Sequence, residues 1–79
     1  MAVIQTVSLS NLKKGESGII DSFSDDSLSL KFMEMGCLQG VKIKVCSIAP
    51  LGDPIAISVN DYQLALRKDE AESILIIVD

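Results

Sequence analysis

Three stretches of the chain alternate apolar and polar residues with a period of two. Val41, Ile43 and Val45 alternate with Lys42, Lys44 and Cys46; Ile55, Ile57 and Val59 with Ala56 and Ser58; Tyr62, Leu64 and Leu66 with Gln63, Ala65 and Arg67. Successive side chains of a strand point to opposite faces, so this pattern predicts half-buried antiparallel strands over 41–48, 55–59 and 62–66. Glu16 to Phe23 alternates less regularly and predicts the first full strand. Ile74 to Val78, apolar throughout, predicts a closing strand buried on both faces.

A different period governs 24–36. Leu28, Phe32 and Met35 fall at i, i+4 and i+7, one stripe of a helix, with Leu30 and Met33 widening it and Lys31 and Glu34 facing water. Met33 and Met35 therefore read as packing residues. Ser24, Asp25 and Asp26 supply N-cap acceptors and negative charge for the positive end of the helix dipole, and Gly36 supplies the left-handed residue that ends it.

Met1 to Val7 reads as a short extended arm, Ser8 to Leu12 as one turn capped by Ser8 that docks Leu9 and Leu12, and Asp69 to Glu72 as another single turn. Asn60-Asp61 has the residue types of a two-residue hairpin turn. About five antiparallel strands with one short helix after the first predict a mostly β fold, a small, partly closed SH3-like barrel occupying residues 1–79 as one domain. An OB-type barrel is its nearest rival. Between the second and third strands lies Ala49-Pro50-Leu51-Gly52-Asp53-Pro54. Proline fixes φ and lacks a donor, and glycine accepts positive φ, so this segment predicts a shaped, stiff loop.

Composition narrows the function. A domain of 79 residues buries only about 60–65% of its unfolded surface, which disfavours a deep catalytic cleft. The longest apolar run, Ile74 to Val78, is far short of the roughly 18 residues of a membrane span, and the first residues lack a basic segment followed by a long apolar block. The expected location is cytoplasmic. Seven Lys and Arg against eleven Asp and Glu give a net charge of −4, the wrong sign for a protein that neutralises phosphates, so nucleic acid is not an expected partner. The basic residues fall in local pairs, Lys13 with Lys14, Lys42 with Lys44 and Arg67 with Lys68, and read as solvated in preference to a modest electropositive strip on one face.

Candidate chemistry is sparse. There is no histidine, which removes the usual general base and the commonest ligand for a borderline metal. Cys37 and Cys46 match neither a Cys-x-x-Cys redox motif nor paired zinc spacing, and read as small buried hydrophobes without a disulfide. The carboxylate pairs Asp25-Asp26 and Glu70/Glu72 sit at predicted helix starts, where they stabilise the dipole. Gly15-Glu16-Ser17-Gly18 matches the glycine loop of KH domains only superficially, because a strand rather than a helix follows. A non-catalytic binding module without a cofactor is what remains.

Leu9-x-x-Leu12-x-x-Gly15, Lys31-Phe32-Met33-Glu34-Met35-Gly36, Gly40-Val41, Ala49-Pro50-Leu51-Gly52-Asp53-Pro54-Ile55 and Leu66-Arg67-Lys68-x-x-Ala71, in this order, resemble the FeoA family of ferrous iron transport accessory proteins. The resemblance covers nearly the whole chain. It departs mildly where Gln39 replaces a frequent proline and Lys31 a frequent arginine. It implies an SH3-like barrel that assists the membrane transporter FeoB, and a relation to the C-terminal domains of iron-dependent repressors, hence a stand-alone regulatory module as an alternative role.

The docking surface expected for such an accessory protein combines Leu51, Gly52, Asp53 and Pro54 with the helix end Met35, Gly36, Cys37 and Leu38, because stiff loops with apolar tips lose little entropy on binding. A competing expectation is weak, direct ferrous binding by Asp53, Asp61 or Glu34 with Cys37. Two others are an RNA-binding barrel, opposed by charge and by the scarcity of rings, and stimulation of a partner's GTP hydrolysis by Arg67. Exposed strand edges on so small a barrel favour weak self-association.

Overall fold

The computed structural model describes residues 5–79. In chain order these form β1 (Val7–Ser8), a 3-10 turn (Leu9–Asn11), β2 (Ser17–Phe23), α1 (Asp26–Glu34), β3 (Lys42–Ile48), β4 (Ile55–Val59), β5 (Tyr62–Leu66), α2 (Lys68–Glu72) and β6 (Ile74–Val78). The strands make one antiparallel sheet in the order β1-β6-β2-β3-β4-β5. The described residues thus hold six strands rather than five. The additional one, β1, is two residues long and joins the last residue of the expected arm, Val7, to the expected turn cap, Ser8; the part of that arm over residues 1–4 lies outside the described residues.

Register shifts bend the sheet at two places, between Ile20 and Ser22 in β2 and between Val45 and Ser47 in β3. A bulge strengthens local twist, and the curled sheet encloses a core of Leu9, Leu12, Ile20, Phe32, Ile43, Val45, Ile55, Ile57, Val59, Leu66, Ile74 and Ile76, which are the inward positions of the alternating pattern plus the turn and helix anchors. Phe32 enters from α1 and stacks on Phe23 of β2 with ring centroids 5.6 Å apart. β6 is apolar on both faces, yet only Ile74 and Ile76 are fully buried. Leu75 and Ile77 are half-covered, because the outer face carries no second layer over them.

The helix starts and ends where its sequence says. Asp25 Oδ1 accepts from Ser27 N at 2.9 Å as N-cap, a pair of bonds with Ser27 that also holds the Asp25 carboxyl below its ordinary pKa. Gly36 adopts φ +91° after Met35. The width of the apolar stripe differs from expectation. Leu30 is 62% and Met33 50% exposed, so neither packs inward. At 3.6 residues per turn Leu30 lies roughly 200° around from Leu28, on the opposite face.

The second helix is tied to the first. Glu70 Oε1 accepts from Arg67 N at 2.9 Å, half of a capping box; arginine has no acceptor with which to complete the other half. The other Glu70 oxygen pairs with Lys31 Nζ of α1. Lys31 first, then the Arg67 amide, hold the Glu70 carboxyl below its ordinary value of 4.5. A carboxyl depressed in the folded state stabilises the fold above its unfolded pKa and loses that contribution as pH falls through the folded pKa. The chain is therefore expected to lose stability on acidification from about pH 5 downward, and Lys31→Met to lose less over the same interval. Urea midpoints at both ends of that interval test this; equal pH slopes in the two proteins contradict the assignment to Lys31.

Candidate functional site

The β3–β4 connection is held by its own backbone. Ala49 N donates to Pro54 O at 3.1 Å and Gly52 N to Ala49 O at 2.7 Å, with Gly52 at φ +87° and the Asp53–Pro54 peptide bond cis. The turn projects Leu51 outward, 95% exposed, the most exposed large apolar side chain among the described residues. Asp53 does something the sequence did not reveal. Its Oδ1 accepts from Lys68 N at 3.0 Å, giving the first amide of α2 the acceptor that Arg67 cannot offer. No linear motif signals a cap delivered from fifteen residues upstream.

The helix end is built differently. The Met35 carbonyl accepts from the Tyr62 hydroxyl at the start of β5, and Gly36 lies directly beneath that hydroxyl, where a side chain does not fit. Cys37 is fully buried, and burial pushes its thiol pKa up. It supports this end from below and presents nothing outward, a correction to its expected place in a docking surface. Leu38 is exposed and lines a shallow groove with Phe23, Met33 and Gln39.

The two halves of the expected surface do not meet. Leu38 precedes β3 and the Leu51 loop follows it; a seven-residue strand spans on the order of 20 Å. The β4–β5 pairing gives the same result, with Ile55 opposite Leu66 near the loop and Val59 opposite Tyr62 near the helix end. The residues offered for a ferrous site do not gather into one either: Cys37 is in the core, Asp53 in the β3–β4 loop against the first amide of α2, Asp61 in the hairpin turn and Glu34 in the last turn of α1. Among the described residues no three histidine, cysteine, aspartate or glutamate side chains gather in a metal-binding group.

Basic residues do converge in part. Lys14, Lys42 and Lys44 line two adjoining shallow grooves around Gly15 and Ser58, with Lys42 paired to Asp79 at 3.2 Å. Arg67 and Lys68 stand apart, at the start of α2. No helix of the described residues is long and apolar enough to cross a membrane.

Known proteins agree with this architecture. An Fe(2+) transport protein A/Fe(2+) transporter FeoB fusion protein of Porphyromonas gingivalis is 34% identical over 67 residues, 84% of this chain and 8% of that protein. The chain therefore corresponds to a small part of that relative. Among solved structures, an FeoA-like protein from Clostridium acetobutylicum superposes with TM-score 0.89 at 31% identity, covering 96% of this chain and 90% of that one. Stenotrophomonas maltophilia FeoA, a zinc complex described as a procaryotic SH3 domain protein, gives TM-score 0.74 at 28% identity over 95% and 89%. A manganese-dependent transcriptional repressor shares the fold alone, with TM-score 0.88 at 15% identity over all of this chain and 45% of that one. The FeoA domain model matches residues 7–78. With that match spanning the sheet from β1 to β6, the chain belongs to the FeoA family.

Proposed function

We propose that this chain is a non-catalytic accessory protein of ferrous iron uptake that acts at the cytoplasmic side and docks on a FeoB-type transporter through the loop Leu51–Pro54. The observation that carries this reading is Leu51, an apolar side chain 95% exposed on a loop fixed by three hydrogen bonds. Exposing a leucine to water has no benefit to the isolated fold, and a stiff loop gives up little conformational entropy when the tip enters a partner's pocket. The fusion relative, in which transport protein A and FeoB share one chain, supports FeoB as that partner. The helix end around Leu38 lies at the opposite end of β3, which favours the loop by itself as the docking surface.

Leu51→Asp is expected to weaken binding to the matching FeoB cytosolic region by about 2 kcal/mol or more, the scale of an interface hot spot, with an unchanged urea midpoint. Amide chemical-shift titration of both proteins reads affinity and location together. Asp53 is a poorer choice for this test, because its loss also uncaps α2. Full retention of binding by Leu51→Asp, or shifts that avoid 49–54, rejects the loop as the docking site.

A further inference from the structure

Among the described residues the sheet ends on β5, which pairs with β4 alone. The two-residue turn Asn60-Asp61 makes Val59 and Tyr62 a hydrogen-bonded pair, and antiparallel ladders alternate, so Ile57–Leu64 and Ile55–Leu66 are also hydrogen-bonded pairs. Ser58–Gln63 and Ala56–Ala65 are the intervening pairs that exchange no bonds. The N–H and C=O groups of Gln63 and Ala65 consequently point away from β4, and they have no backbone partner among the described residues.

Natural edges are commonly blunted by lysine, proline or a bulge. Between Tyr62 and Leu66 there is neither lysine nor proline, and the β4–β5 register runs without the shifts seen in β2–β6 and β3–β4. The edge is also self-complementary. We propose that β5 pairs antiparallel with β5 of a second copy of this chain, about a two-fold axis through Leu64.

That axis sets Gln63 opposite Ala65 of the second copy and the reverse, so the free groups of both edges satisfy one another in four hydrogen bonds. Leu64, half-buried in the single chain, meets its own copy. One step beyond each end of β5, Asp61 comes opposite Arg67 of the second copy, and this happens twice by symmetry. Both residues are exposed, and neither forms an ion pair within the described residues of its own chain. Shifting the axis to Gln63 retains hydrogen-bonding parity but sets Asp61 against Ala65, which leaves both charges unopposed. Charge thus selects the register centred on Leu64.

Sedimentation velocity of the whole chain at rising concentration and low salt tests the pairing, with no transporter present, so a negative result leaves the docking reading standing. The expected result is a concentration-dependent rise from 8.5 kDa toward twice that mass. Ala65→Pro removes an outward donor and fills the edge while leaving every β4 bond in place; it is expected to keep the parent circular dichroism and sediment as a monomer throughout. Asp61→Lys is expected to weaken the dimer about tenfold, and adding Arg67→Glu to restore it. A parent chain that stays monomeric at its solubility limit overturns the proposal, as does a folded Ala65→Pro variant that associates like the parent. Should Ala65→Pro fail to fold, the charge variants decide, and association unchanged by Asp61→Lys overturns it.

Discussion

Gly18→Ala is expected to cost about 3 kcal/mol, and Gly18→Val to leave the chain unfolded or insoluble. Gly18 sits inside β2, buried where β6 crosses it. A Cβ there meets Ile76 Cγ2 and the Ile77 carbonyl oxygen, each at 2.5 Å. The isoleucine methyl has some freedom to turn away, but the carbonyl belongs to the backbone of β6, which is hydrogen-bonded on both sides to β2 and β1. Relief requires moving a strand that carries two fully buried isoleucines, Ile74 and Ile76. A domain of this size has only about 5 kcal/mol of net stability, so one such displacement consumes most of it. Urea unfolding of Gly18→Ala gives the number. A midpoint matching the parent within error shows that the strands separate at little cost and that the close approach is not what demands glycine.

Gly36→Ala is expected to cost about 2–3 kcal/mol through two separable effects. The first is conformational: alanine at φ +91° is strained by about 1 kcal/mol or more. The second is steric, because the new methyl displaces the Tyr62 hydroxyl and breaks its bond to the Met35 carbonyl, exposing the last turn of α1. A double-mutant cycle with Tyr62→Phe separates them. In the phenylalanine background the cost of Gly36→Ala is expected to fall by about 1 kcal/mol, the value of the lost hydrogen bond and clash, leaving the φ term. An identical cost in both backgrounds removes Tyr62 from the explanation.

Gly36 also shows how far linear pattern reaches. Its role as a left-handed helix end is readable from Met-Gly after an apolar stripe, whereas the tyrosine pressing on it, 26 positions later, is not. The strands of the β3–β4–β5 meander were legible because period-two alternation maps one face of each onto the core; the observed inward set follows it in β4 and at Leu66, while Tyr62 at the start of β5 is exposed. Leu30 is apolar yet points outward, because it stands about 200° around the helix from Leu28. Pairing between distant segments was not legible. β1 joining β6, Asp53 capping α2 and Lys31 holding Glu70 all depend on where the curled sheet brings separate parts of the chain. The same holds for the docking residues: Leu51 stands out in sequence as an apolar tip, but only the register of β3 and β4 separates it from Leu38.

The position of β6 bears on how the chain acquires its fold during synthesis. Formed by residues 74–78, it lies between β1 and β2, the two earliest strands, and supplies Ile74 and Ile76 to the shared core. Until those residues clear the ribosome, β1 has no neighbour and β2 lacks one of its two partners. The meander of β3, β4 and β5 can assemble locally, but closure must wait for contacts spanning some sixty residues, which places folding among the slower, non-local topologies. A nascent chain stalled before Ile74 is thus expected to hold at most the β3–β4–β5 meander, and to resist protease along its whole length only once β6 has been released.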